Sequence, residues 1–187
     1  MLYLTAYTFL LRVRSEGLPL VFVRYEDLCR HDCSIAVTSS TLELRLRKRK
    51  NTREETRITR HCACVKCPGT CPVHVLGEWL GGLTYGRQPF AGVTGGGGLQ
   101  RLRLRLAALG SQAPHEYCLH DFRRGHAQDL LDRGAHLVEI LKAGDWRSSA
   151  FMRYLRYREL DARAVLETQQ HMSSDEDGCL ANPSNLD

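Results

Sequence analysis

Apolar positions follow two different rhythms along this chain, and the change between them predicts its elements. From Met1 to Leu11, aromatic and aliphatic residues recur at helical spacing without a breaker, which predicts a buried helix that Gly17 and Pro19 end or re-aim. From Ser34 the rhythm shortens to two. Ile35 and Val37 alternate with small polar residues, Ser39 to Thr41 makes a turn, and Leu42, Leu44 and Leu46 alternate with Glu43, Arg45 and Arg47. Lys50 to Glu55 is polar and turn-like, and Thr56 to Arg60 reads as a returning strand. These segments predict a small antiparallel three-stranded sheet with a basic outer face and tip.

Residues 61–98 hold a cysteine cluster, Gly81-Gly82 and the run Gly95 to Gly98, and read as loop. The glycine run lacks the Lys-Ser/Thr sequel of a phosphate-binding loop, so it reads as a flexible connection. Beyond it the helical rhythm returns. Leu99, Leu102, Leu106 and Leu109 share a face ahead of Gly110; His120 to Arg133 ends at Gly134; Leu137 to Ala143 ends at Gly144, a plausible left-handed cap. Ser148 and Ser149 can cap a further helix carrying Phe151, Tyr154 and Leu155, and Glu159 to Gln170 reads as the last helix. The predicted fold class is mainly helical α+β: one domain over residues 1–171, then a disordered acidic tail over 172–187.

Charge narrows the partners. The net charge is only +5, yet eight Lys or Arg stand against two Glu between Arg45 and Arg60. Local density of this kind suits a polyanion, because counterions are released where the cations sit. No stretch approaches the roughly 20 apolar residues that span a bilayer, so no membrane partner is expected. Met1 to Leu11 has neither a positive leader nor a small-residue cleavage site, so an intracellular location with reduced cysteines is expected.

Candidate chemistry concentrates around His120-Asp-Phe-Arg123. At i and i+3 on a helix, an imidazole donor and a guanidinium fork share a face, a combination that suits phosphate oxygens. The same pair alone is also what a solvated helix face looks like. Taken with Leu130-Leu131-Asp-Arg-Gly134-Ala-His-Leu, Gly144-Asp-Trp146 and Tyr154, however, it resembles the C-terminal signature of the tyrosine recombinases, the phage integrase family. Phe9-Leu-Leu-Arg12-Val-Arg-Ser-Glu16 is similar to that family's first box, and Val23-Arg-Tyr-Glu-Asp27-Leu to the segment after it. The resemblance runs from about Phe9 to about Glu167, and is nearest to recombinases of eukaryotic, notably fungal, mobile elements, which implies a nuclear location.

The resemblance implies a DNA breaking-and-rejoining domain acting on double-stranded DNA, with tetramers formed on the substrate and no cofactor required, nucleotides included. Tyr154 would be the nucleophile, forming a 3′-phosphotyrosyl link. Arg12 and Arg123 would grip the scissile phosphate, with His120 and Trp146 donating hydrogen bonds to it. Lys50 would protonate the leaving oxygen, Glu16 would orient Arg12, and Arg47, Lys48, Arg49 and Arg53 would contact DNA around the hairpin. Several positions stay open: Arg14 competes with Arg12, Lys48 with Lys50, and Tyr157 with Tyr154. The Arg12-to-Glu16 spacing is four where the family has three, and Asp145 competes with Trp146 at its position. Only eleven residues precede Arg12, so the family's core-binding domain is absent from this sequence, and a catalytically inactive DNA-binding remnant is the alternative reading. A type IB topoisomerase ranks lower, since that group usually has Lys where this chain has His120.

His61, Cys62, Cys64, Cys67, Cys71 and His74 lie within fourteen residues. The close pairs Cys62-x-Cys64 and Cys71-x-x-His74 could supply four tetrahedral ligands to a structural zinc ion, against the alternative of plain reduced thiols. No catalytic metal is expected. Trp79 is expected to pack against the sheet rather than stack on a base, and His126 and His136 read as surface or core histidines.

Overall fold

The computed structural model describes residues 1–47, 49, 54–65, 71–144, 146, 151 and 155. They fall into two compact units, Met1–His126 and Ala127–Asp187. The α+β class is as expected.

In the first unit, α1 (Leu2–Thr8) buries Leu2, Thr5 and Ala6. It stops well before Gly17. The amide of Leu10 donates to the Tyr7 carbonyl and that of Leu11 to the Ala6 carbonyl, while Leu10 takes a left-handed φ of 51°. This is a Schellman closure with leucine where glycine is usual. Leu10 is fully buried, and that burial offsets the strain of about 1–2 kcal/mol. A π-helical turn over Val13–Gly17 follows at once.

Among the described residues the sheet has four strands in the order β1-β2-β3-β4: β1 (Val21–Phe22), β2 (Cys33–Val37), β3 (Thr41–Leu46) and β4 (Thr56–His61). The expected three are there, at nearly the expected bounds; the fourth, β1, runs parallel to β2, pairing Val21 with Ser34 and Phe22 with Ile35. Two residues are too few to carry a period, which is why the sequence predicts three strands. Leu42 and Leu44 in β3 sit opposite Arg60 and Ile58 in β4. The leucines face the core, with Ile35, Phe9, Leu11 and Leu20.

The face opposite the leucines is not simply solvated. A 3-10 turn, Tyr25–Arg30, packs on it, and Leu28, Val23 and Ala36 form a second small cluster. Arg45 is 7% exposed beneath this cover; it donates to the His31 carbonyl at 2.7 Å and pairs with Glu55 at 2.6 Å. The two arginines on Glu55, Arg45 first and then Arg57, hold its carboxyl down at about 2.

The segment 61–98 is more ordered than its composition implies. Cys71 precedes α2 (Pro72–Gly81), whose Val73, Leu76 and Leu80 are buried, each contributing about 1.5–3 kcal/mol. Pro72 at the first helical position opens this helix rather than breaking it. Gly77 is a point of close approach, since a Cβ there would stand 3.2 Å from Val37 Cγ1. Trp79, expected to pack against the sheet, stacks on Phe90 at 5.4 Å. The glycine run, expected to be a flexible connection, is instead the first turn of α3 (Gly95–Ala108). Thr94 Oγ1 caps it by accepting from the Gly97 amide, and the Gly98 carbonyl accepts from the Tyr3 hydroxyl at 2.6 Å.

Then α4 (Asp121–Asp132) begins in the first unit and ends in the second, and α5 (Leu137–Gly144) buries Leu137, Ile140 and Leu141. Gly110 and Gly134 take φ of 82°, as helix-stop glycines should. Gly144 remains within α5, and its value lies elsewhere: the Trp146 ring occupies the space where a Cβ would be. Apart from Phe151 and Leu155, the expected helices beyond Ser148 and the acidic tail lie outside the described residues. No described helix is long and apolar enough to cross a membrane.

Candidate functional site

Arg12 lies between the end of α1 and the π turn. Its guanidinium donates to Glu16 Oε1 at 2.9 Å and its amide to Oε2 at 2.8 Å, so one carboxylate both pairs with the side chain and caps the turn. The chain from Arg12 to Leu18 is wound as a π turn, in which the Gly17 amide reaches back to the Arg12 carbonyl and the Leu18 amide to that of Val13. Arg14, the rival, is exposed and its side chain lies against Gly95.

Glu16 has a second partner that sequence reasoning did not assign to it. Arg49 is turned inward, its side chain fully buried, with Nε 3.2 Å from Oε1 and Nη2 3.4 Å from Oε2 of Glu16. The residue was expected among the hairpin cations that meet DNA; of that group Arg47 is exposed and pairs with Asp32, while Lys48 and Arg53 lie outside the described residues. Burial pushes the Glu16 carboxyl up, but the charge and hydrogen bonds of Arg49, followed by the amide and charge of Arg12, outweigh it and hold the group below its ordinary range.

The first turns of α4 reach this region because its aromatic residues stack on α1. Phe122 lies parallel to Tyr3 at 5.0 Å, and His126 stacks on Tyr7 at 4.6 Å while its Nδ1 meets the Tyr7 carbonyl. His126 is thus a packing histidine. The same contact aims Arg123 inward, where it is 1% exposed, and leaves His120 at the surface on the turn before it. Lost solvation on its inner side, and then the charges of Arg123, Arg124 and Arg12, hold the His120 imidazole below its usual pKa; Asp121 opposes them. Arg12, His120 and Arg123 therefore share one electrostatic neighbourhood. At neutral pH the imidazole is uncharged and offers one ring N–H as a donor.

Trp146, in the second unit, is 7% exposed; its amide donates to the Leu141 carbonyl, and its ring covers Gly144. Phe151 and Leu155 are also buried. Substituting Gly144→Ala should drive the indole from its seat and destabilise the protein by about 1–3 kcal/mol, read as a higher Trp fluorescence exposure to quenchers and a lower urea midpoint. Unchanged quenching would contradict the packing described. Tyr154, Tyr157, Lys50 and Asp145 lie outside the described residues.

A separate cluster stands at the far end of β4. Cys62, Cys64, Cys71 and His74 bring their ligand atoms within 4.8 Å of one another, an arrangement that could hold a metal ion. Cys67 lies outside the described residues, and His61 is exposed at the strand end. Burial raises the Cys71 thiol, but donors from the Ala63 and His74 amides and the His74 side chain bring it down to about 6; hydrogen bonding with Cys62 is the first cause that pushes Cys64 up to about 12.

Comparison with models of protein families, with curated proteins and with solved structures gives no match.

Proposed function

We propose that this chain is a catalytic region that cleaves and rejoins DNA strands in recombination or integration, in the manner of the tyrosine recombinases, with Tyr154 as nucleophile. The observation that carries the reading is the convergence of Arg12, His120 and Arg123, brought from opposite halves of the chain by the stacking of α4 on α1. Guanidiniums whose charges act on a shared imidazole suit an oxyanion.

Attack on a phosphodiester puts growing charge on two non-bridging oxygens, and Arg12 and Arg123 are the groups to take it. His120, neutral at physiological pH, donates a ring N–H to the same phosphate. The resemblance would give the Trp146 indole, a donor only, a hydrogen bond to the phosphate as well. Tyr154 would attack phosphorus, its phenolic proton passing to solvent, and displace the 5′ oxygen, which Lys50 would protonate; the 3′-phosphotyrosyl bond would keep the energy of the broken ester. Rejoining is the reverse attack by the 5′ hydroxyl, so no nucleotide is consumed. Glu16 fixes the Arg12 fork and takes no proton itself. A zinc ion at the cysteine cluster would stand outside this chemistry as a structural element.

The reading is tested with nicked duplexes, drawn from the ends of the element that carries the gene, which trap a covalent protein–DNA adduct. Wild type should form one. Arg12→Ala and Arg123→Ala should each slow its formation about 10²–10³-fold, the usual effect of losing one oxyanion donor. No adduct on any duplex, with salt-sensitive DNA binding retained, would replace this reading with that of an inactive DNA-binding remnant.

A further inference from the structure

We propose that Cys62, Cys64, Cys71 and His74 bind one Zn²⁺ ion as a closed Cys₃His site that ties the end of β4 to the start of α2. The local geometry is already close to what the metal requires. With Zn–S near 2.3 Å and Zn–N near 2.0 Å, tetrahedral coordination sets S···S edges of about 3.8 Å and S···N edges of about 3.5 Å. In the protein, Cys62 Sγ is 4.0 Å from Cys71 Sγ and 3.7 Å from His74 Nδ1, and Cys64 Sγ is 2.9 Å from the same nitrogen. Small side-chain rotations convert these distances into coordination edges.

The elements explain the convergence. Cys62 and Cys64 follow the last residue of β4, while Cys71 is the cap of α2 and His74 stands in its first turn. Cys71 and His74 are three apart on one helical face, so the two halves of the site arrive preformed. The Ala63 amide donates to Cys71 Sγ at 3.2 Å, the kind of N–H···S bond that supports a metal-bound thiolate. Packing alone does not account for the group. Only Cys71 is buried; Cys62 and His74 are exposed and Cys64 is half-buried, yet all four aim at one point. A Cys62–Cys71 disulfide would use two of the four and leave the approach of Cys64 to His74 unexplained.

Binding consumes no redox equivalent. Zn²⁺ enters, the coordinating thiols release their protons to solvent, and the His74 Nδ1 lone pair completes the set. The chain between His61 and Pro72 is thereby closed into a short loop, a constraint a strand–helix junction otherwise lacks.

The test uses the full chain, purified under reducing conditions with zinc present and then dialysed. About one zinc per chain is expected. Replacement by Co²⁺ should give the visible ligand-field bands of a tetrahedral site, together with sulfur charge-transfer absorption. Because that readout needs only the wild-type protein, it stands even if a ligand variant fails to fold. Cys64→Ser and His74→Ala should lose the metal; Cys33→Ser should keep it. Metal-free protein with all its thiols freely reactive overturns the proposal. So does zinc that survives His74→Ala but is lost in Cys67→Ser, since the ligand set would then be a different one.

Discussion

Tyr154→Phe will abolish covalent capture of DNA, by a factor of about 10⁴ or more, while leaving DNA affinity within about 1 kcal/mol of wild type. The size of the first effect follows from chemistry. On the proposed reading the phenolic oxygen would be the atom that joins phosphorus, and a ring without it offers no substitute, whereas losing one guanidinium would leave the other in place. The second effect is small because affinity for a polyanion rests on Lys and Arg contacts with phosphates, and the salt dependence of binding should keep its slope in the variant. Tyr157→Phe, three residues on, should cleave as wild type. Gel-resolved adduct yield and a salt series of binding constants measure both parts.

Glu16→Gln will lower stability by about 3–5 kcal/mol, a large share of the roughly 5–15 kcal/mol that holds a domain together. Glu16 is 2% exposed and carries two guanidiniums, one of them on a side chain with no exposure at all. The amide isostere keeps the shape and one acceptor for the Arg12 N–H but removes the negative charge that the buried Arg49 guanidinium meets at 3.2 Å. Replacing both partners, Glu16→Leu with Arg49→Met, should recover much of the loss, because both ends of this buried ion pair are then removed together. Urea midpoints at constant m value measure the pair. The pH dependence has a definite sign. Since Glu16 is held below its ordinary value when folded, its contribution is complete above the unfolded carboxylate pKa of about 4.3 and disappears as pH falls through the folded value. The gap between wild type and Glu16→Gln should therefore close in acid. A gap that widened there would contradict the ion-pair assignment.

Legibility differed from element to element for physical reasons. The β3–β4 pair was plain because Leu42, Leu44 and Leu46 alternate against charged neighbours, and one buried face enforces that period. Helix α2 has an equally regular core face at Val73, Leu76 and Leu80, but Pro72, Gly77 and Gly81 look like breakers until the proline is seen to be the first helical residue and Gly77 a point of contact with Val37. The closure of α1 after Thr8 could not be read, because the leucine that follows it in the left-handed region, Leu10, is held there by tertiary burial.

In the candidate site, the proximity of Arg12 and Glu16 is local, and spacing alone brings them together. Arg49 is different. Nothing near it in sequence distinguishes it from Arg47 and Lys48; a buried carboxylate on a distant turn decides that it faces inward. Arg45 is diverted in the same way by Glu55 and the His31 carbonyl. Runs of cations therefore overstate the charge a surface presents, since a fold can draw some of them inside as counterions.

The most direct measurement is to digest the trapped adduct with nuclease and protease and to sequence the nucleotide-bearing peptide by mass spectrometry. The account predicts a single modified residue, Tyr154, joined through its phenolic oxygen to a 3′ phosphate. A nucleotide on Tyr157 would move the nucleophile within the same chemistry; a cleaved duplex with no tyrosine-linked nucleotide at all would contradict the account at its centre.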